Sequence, residues 1–381
     1  MHSNPRIAII GAGLGGLTLA RILYLHGIVA TVYERDVHPL SRPQGGSLDL
    51  HEDSGLLALE RAGLRNEFQA VARYEDQGMR LLTKNGQLLF DDQNPSDGNR
   101  PEVDRTALRS LLLDALPATM IRWNCALSEL EEAGGNCWNL SFGHGNEGPF
   151  DCVVGADGTW SRVRPYLSTY EPQYSGLCFV EFGIDDIDRL HPDLATLVGR
   201  GMLNVQGDGK ALIVQRNGNA HVRGYAIFRV PMGWVERKFD FKSARAVRGG
   251  LIQEFAGYSE NILGLFRACN DDFAVRPIFA LPTGHSWVHR PGLTLIGDAA
   301  HVMSPFGGDG VNNAMLDAAE LADLLIKRRS SDNAVAEYER MMFDRVVASA
   351  KGAAEGAATF LSHDGQALAL AMFQSHQGPR H

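Results

Sequence analysis

The sequence predicts an α/β fold: a Rossmann-type nucleotide-binding domain, an inserted β-sheet domain and a C-terminal helical segment. Three observations predict it. A short apolar run, Arg6 to Ile10, leads through clustered glycines into a helix-former stretch and then a second apolar run. Two later apolar runs each end in a Gly and an Asp. Between these, from about Tyr174 to Arg229, closely spaced strand-like segments take over.

Taken in order, Arg6 to Ile10 reads as a buried strand. Leu14 to His26 follows as a helix with apolar Leu14, Leu17, Ala20 and Leu25, and Val29 to Tyr33 is a second strand. A unit of about 30 residues has the size of a right-handed crossover in a parallel sheet. Phe150 to Val154 and Leu293 to Ile296 read as further strands of that sheet. In the middle, Leu177 to Ile184, Ala211 to Gln215 and His221 to Arg229 read as strands, with Asn217-Gly218-Asn219 as a hairpin turn. Ser243 to Tyr258, Val311 to Arg328 and Ala334 to Thr359 are helical in pattern. The expected layout is a discontinuous nucleotide-binding domain over 1–173 and 273–330, an inserted domain over 174–272 and a helical segment over 331–381.

The bulk numbers narrow the function classes. The chain has 381 residues, 44% hydrophobic and 21% charged, and at about 150 residues per domain this fits two domains. A net charge of -9 gives no field that recruits a polyanion, so nucleic acid is not an expected partner. Five widely spaced cysteines fit neither a disulfide framework nor a zinc site and predict a reducing, cytoplasmic setting. No apolar run approaches membrane-spanning length, and strand-like sequence begins within a few residues of Met1, so neither membrane insertion nor export is expected. The expected quaternary state is a monomer or weak dimer.

The glycines Gly11, Gly13 and Gly16 between a strand and a helix make a tight turn, a close backbone approach to a pyrophosphate and a close helix packing. The N-terminus of that helix, at Leu14, adds a favourable field for an anion. Glu34 closes the second strand, where a carboxylate can accept from ribose hydroxyls. Far downstream, Gly297-Asp298 ends a strand, and Pro305-Phe306-Gly307-Gly308-Asp309-Gly310-Val311-Asn312 leads into a helix. Asp298 is placed for a polyol chain, and the amides from Gly308 to Val311 form the positive end of the helix.

These motifs, with Val153 to Gly158 and Ser161 to Arg164 between them, resemble the class A, single-component FAD-dependent aromatic monooxygenases of the para-hydroxybenzoate hydroxylase fold. Within that group the likeness runs to the tetracycline-inactivating monooxygenases, through Tyr33-Glu34-Arg35-Asp36, Gly45 to His51 and Pro305-Phe306. The resemblance implies that Glu34 and Arg35 bind the adenosine end of FAD, Asp49 and Arg109 the rest, and Asp298 with Gly308 to Val311 the ribityl chain and ring. It places Asp157 at the pyrophosphate and Arg42 at NADPH, or NADH, as co-substrate. Arg109 read without it is an arginine on an amphipathic helix.

The implied reaction reduces the flavin, adds dioxygen at its C4a, and passes one oxygen to an aromatic or polycyclic substrate. No catalytic protein residue is expected, since the flavin carries the chemistry. His51 and His301 are expected to be hydrogen-bonded structural residues. Substrate contacts are implied for Pro305, Phe306 and Gly307, for Arg200, Met202 and Gln215, and for Glu181 and Arg223, which stand where the tetracycline-directed group has Gln and His. Glu181 and Arg223 could pair with each other, face solvent, or leave Arg223 to bind an anionic or phenolate group. A flavin-dependent oxidase or reductase on the same fold, and a flavoprotein that binds an aromatic ligand without turnover, are the alternatives.

Overall fold

The computed structural model describes residues 5–41, 45–93, 100–328, 330–362 and 364–376. At its centre is a five-stranded, all-parallel sheet. Its order is Leu293–Leu295, Cys152–Gly155, Ile7–Ile10, Ala30–Tyr33 and Ile121–Arg122. Ile7 to Ile10 are buried on both faces, which is why this strand reads as a continuous apolar run. The helices Leu14–Leu25 and Gly310–Lys327 pack together beside it. They approach so closely that a Cβ added to Gly15 would lie 3.0 Å from the Ala314 carbonyl oxygen. A three-stranded antiparallel sheet, Leu127–Gly134, Cys137–Phe142 and Gly145–Phe150, covers Tyr33, whose ring stacks on Phe142 at 4.8 Å.

The single strand expected over Phe150 to Val154 is divided. Phe150 ends a strand of the antiparallel sheet, and Cys152 begins one of the parallel sheet. The join is Asp151, whose side chain accepts the Arg6 N–H at 2.7 Å.

The second sheet draws on more of the chain than the 174–272 segment expected from the sequence. It has seven strands in the order Ala274–Ala280, Gln173–Ile184, Val222–Arg229, Lys210–Arg216, Gly201–Gly207, Gly78–Thr83 and Leu88–Asp92. The last two belong to the first 173 residues and join through a parallel pairing of Gly78–Thr83 with Gly201–Gly207. Alternation along the strands gives the sheet two unlike faces. Val180, Phe182, Leu203, Val205, Leu212 and Val214 point outward into a core closed by the helices Pro192–Val198, Ala244–Glu254 and Glu260–Ala268. The intervening residues make the inner face, toward the parallel-sheet half.

The C-terminal helices tie the halves together. Ser331–Thr359 docks on the parallel sheet, where Glu339 accepts from the indole of Trp287 and the hydroxyl of Thr294, both at 2.9 Å. Gly365–His376 lies on the inner face of the larger sheet, burying Ala369 and Phe373 against Leu81. Among the described residues, no helix is long and apolar enough to cross a membrane, and no cluster of His, Cys, Asp and Glu is placed to hold a metal ion.

Candidate active site

The turn after the first strand is dictated by backbone. Gly11 has φ +113°, and a Cβ there would lie 2.4 Å from the Ala156 carbonyl oxygen; one on Gly16 would lie 2.2 Å from the Gly11 carbonyl oxygen. Neither position can carry a side chain without moving main chain. Gly13 is different: it is exposed between buried neighbours, and the nearest protein atom to an added Cβ is 3.9 Å away. The Leu14–Leu25 helix starts immediately after it, so its free amides point into this opening.

Two charged residues clamp the turn from opposite sides. Glu34 is buried and accepts the N–H of Ala12 at 2.7 Å and of Asp36 at 3.0 Å. Arg109 is only 3% exposed; it donates to the Ala12 carbonyl at 3.0 Å and to the Pro39 carbonyl at 2.7 Å, with its guanidinium over the Trp123 ring. Arg109 is therefore no solvated helix arginine. Arg35 is exposed, and Arg42 lies outside the described residues.

A second group assembles at the start of the Gly310–Lys327 helix. Asn312 is buried; its amide accepts the N–H of His51 at 2.9 Å and of Gly55 at 3.2 Å and donates to the Asp49 carbonyl at 2.9 Å. It fastens the Asp49–Gly55 loop to the helix. His51 bonds the Asp49 carboxylate at 2.9 Å and lies 3.9 Å from Asp309, in keeping with a hydrogen-bonded role. Gly308 adopts φ +71° as the short helical turn Pro305–Gly307 gives way to the long helix; it and Gly307 are exposed, while Gly310 is half-buried and Val311 buried.

Asp298 is exposed amid buried neighbours and takes the Thr159 hydroxyl at 3.4 Å. Gly297, not Asp298, occupies the cap of the short helix Asp298–His301, so Asp298 is free of the capping role. Asp157 accepts the Arg162 N–H at 2.7 Å, and its other oxygen is buried without a partner. Burial pushes this carboxyl up, against the opposing pull of Ser161 and the Arg162 amide. Contacts thus run continuously from Gly11 through Ala156 and Thr159 to Asp298. Exposed Gly13, exposed Asp298, the open Gly307-Gly308 turn and the orphaned Asp157 oxygen together fit an extended dinucleotide.

The Asp298 segment rests on a buried ionic cluster that sequence reading missed. Asp317 is fully buried, accepting the Gly297 N–H at 2.8 Å, His301 at 2.6 Å and Arg345 at 2.6 Å. Burial works to raise its carboxyl, but the His301 ring and the Arg345 guanidinium prevail and hold it below the ordinary range. Arg345 comes from the Ser331–Thr359 helix, too far along the chain for any spacing signal.

Opposite lies the inner face of the seven-stranded sheet. Phe306 meets it: its ring is 6.0 Å from Phe179 and 4.3 Å from Phe360, while Pro305 is exposed. Glu181 and Arg223 pair directly, and Glu181 also accepts from Arg276 at 2.8 Å. With side chains 12% and 18% exposed, they are partners, not solvent-facing residues. Beside them, Tyr225 is pushed up to about 12 by burial and by Glu181. A Cβ on Gly46 would lie 2.8 Å from its hydroxyl, so the Gly45-Gly46 loop closes directly over Tyr225 and Arg223.

Met202 packs with Met79, Phe90, Ala369 and Phe373 at the apolar end of the face. Gln215 pairs across from both Met202 and Arg223. Asn204 and Gln206, which sequence reading also missed, are buried on the same face. The Arg200 side chain is exposed, and its backbone N–H donates to Gln93 at 2.6 Å.

Comparison with known proteins agrees with this geometry. The family model described as FAD binding domain matches residues 5–198 and 287–343. Monooxygenase asqM of Emericella nidulans is 32% identical, covering 85% of this chain and 84% of its own length. Among solved structures, Klebsiella pneumoniae HpxO complexed with FAD and uric acid superposes with a TM-score of 0.81 at 22% identity, covering 98% of this chain and 92% of that one. The tetracycline destructase Tet(51) gives a TM-score of 0.73 at 21% identity, covering 98% and 96%. At those identities the structures establish the fold. With the family model spanning most of the sequence and a curated monooxygenase above 30% identity along most of its length, the chain belongs to the FAD-binding domain family and is an FAD-dependent monooxygenase of the class A fold.

Proposed function

We propose that the protein uses NADPH or NADH and dioxygen to hydroxylate an aromatic or polycyclic, tetracycline-like small molecule. The observation that carries this is the meeting of Phe306 and Phe179. It sets the Asp298 to Val311 segment, which fits the ribityl chain and ring, against a sheet face built of both apolar and polar side chains. FAD, when bound, would supply the redox chemistry between the nicotinamide and dioxygen that oxygen transfer to carbon requires.

The chain's own residues bind, orient and shield. The Gly11 to Leu14 turn receives the pyrophosphate, held in shape by Glu34 and Arg109. Asp298 orients the polyol, and the first amides of the Gly310–Lys327 helix favour negative charge at the neighbouring ring edge. Phe306, Phe179 and the Gly365–His376 helix exclude water from the space over the sheet. Five free cysteines, four of them buried, suit a reducing cytoplasm.

The test is NADPH consumption under isotopically labelled dioxygen, screened against tetracyclines and other phenolic polycycles. One labelled oxygen atom in a product is the expected result. Hydrogen peroxide matching all NADPH consumed, with no oxygenated product for any substrate, would favour the oxidase reading.

A further inference from the structure

Four side-chain atoms on the inner face of the seven-stranded sheet are buried and unpartnered: Asn204 Oδ1, Gln206 Nε2, Gln215 Nε2 and Arg223 Nε. They come from three adjacent strands in register, with Met202 opposite Gln215, Gln215 opposite Arg223, and Asn204 one step away on the same face. Asn204 is 2% and Gln206 4% exposed. Buried polar atoms are rarely left unmet, at about 1–3 kcal/mol each, and four on one face form an array that awaits a partner.

We propose that this array selects a neutral, planar ring system whose edge carries a carbonyl beside an N–H, that is, a lactam or imide. The proposal rests on the reading of this face as the substrate wall. Three of the four atoms are donors and one an acceptor, complementary to an edge richer in carbonyl than in N–H. Charge points the same way. Arg223 has Nη1 committed to Glu181, which is shared with Arg276, so the charge is already matched, and the buried N–H left without a partner is the one at Nε. That suits a carbonyl, whereas a carboxylate is best met by a bidentate fork. Tyr225, pushed up to about 12, is a neutral neighbour. Apolar side chains are interleaved with the array, with Met202 opposite Gln215 and Ile213 opposite Asn204 on the same face.

The experiment titrates the FAD-loaded protein with three planar probes of matched size and reads the flavin absorbance change. The probes are 2-quinolone as the lactam, naphthalene as its apolar counterpart and 2-naphthoate as the anion. Two recovered hydrogen bonds should make 2-quinolone bind at least roughly tenfold tighter than either other probe. The double variant Asn204→Leu, Gln215→Leu should bring it down to the naphthalene level with FAD still bound. If that variant loses FAD, Gln215→Met alone should cut the preference by at least threefold.

Tightest binding of 2-naphthoate, equal binding of all three, no flavin response to any, or a preference unchanged in the variants would each overturn the proposal. NADPH oxidation and oxygen incorporation are measured separately. Their loss with lactam preference intact removes the proposed activity alone, and their presence without that preference removes the recognition alone.

Discussion

The glycine turn at Gly11 to Gly16 and the polar face around Gln215, proposed as the cofactor and substrate sides of one site, are built from opposite materials. At the turn, side chains are absent by necessity: main chain packs on main chain, and even Glu34 and Arg109 act by gripping the Ala12 peptide. On the sheet face the backbone is consumed by strand pairing, and only side chains remain to recognise anything. A backbone site should therefore fail through the fold when altered, and a side-chain site should fail through selectivity.

The largest effects should come from testing the first half of that contrast. Gly11→Ala sets a Cβ 2.4 Å from the Ala156 carbonyl oxygen at φ +113°. We expect loss of bound FAD and destabilisation by at least about 3 kcal/mol, read by FAD stoichiometry and thermal melting. Gly13→Ala meets only the Ala156 carbonyl oxygen, at an unstrained 3.9 Å, among the described residues. It should leave the melting temperature of the FAD-free protein unchanged while weakening FAD binding at least roughly tenfold. Equal melting losses in the two variants would mean that Gly13 is as structural as Gly11, and the contrast would collapse.

Next in size is the ion pair behind the polar face. Glu181→Gln leaves Arg223 largely buried without its counter-charge, at a cost of about 2 kcal/mol. A fall of several degrees in the melting temperature of the FAD-loaded protein is expected. FAD affinity should change less than stability, because among the described residues Glu181 bonds only to Arg223 and Arg276, and only Arg223 of the pair meets the Gly45-Gly46 loop.

These predictions follow how legible each region was. The glycine turn could be read because its demands are steric and local, and Gly-x-Gly-x-x-Gly between a strand and a helix states them in six residues. Gly297-Asp298 was legible on the same ground. Glu181 and Arg223 could be singled out, but whether they paired depended on a strand register that aligns Arg223 with Gly183 and Glu181 with Tyr225. Asn204 and Gln206 were hidden by their own regularity. Met-Leu-Asn-Val-Gln alternates as any half-exposed strand does, and the usual inference sends the polar residues to solvent. That inference fails because the Gly365–His376 helix and the Phe306 turn cover the second face. The sheet's true width was hidden too, since Gly78–Thr83 joins it across more than a hundred residues of chain.

A smaller effect is expected at the seam between the regions. The strand Ser47–Asp49 pairs with Glu102–Asp104, and Asp104 takes the side chain of Asn217 at 3.0 Å. Burial pushes the Glu102 carboxyl up to about 8, despite the Ser47 hydroxyl that favours its charged form, with Asp49 adding to the rise. The folded state therefore binds this proton more tightly than the unfolded chain does. Stability from this group is present below the unfolded value and is lost as pH rises toward 8. Near neutrality the loss should amount to about 1 kcal/mol per pH unit, and Glu102→Gln should flatten the dependence between pH 5 and 8. Melting curves across that range provide the check. An unchanged slope in the variant would show that the seam is not where the proton is held.

The smallest expected effect concerns Arg200, which resemblance assigned to the substrate and the geometry leaves at the margin. Arg200 is exposed, and its backbone N–H, not its guanidinium, donates to Gln93. Arg200→Ala should change stability by less than about 0.5 kcal/mol and leave FAD content untouched. The informative measurement is KM for whichever substrate the oxygen-incorporation screen yields. An unchanged KM would confine recognition to the buried face, where side chains are held by packing and by the Glu181 pair. A severalfold rise would extend the site to its rim and show that a solvated charge steers the substrate before the buried amides read it.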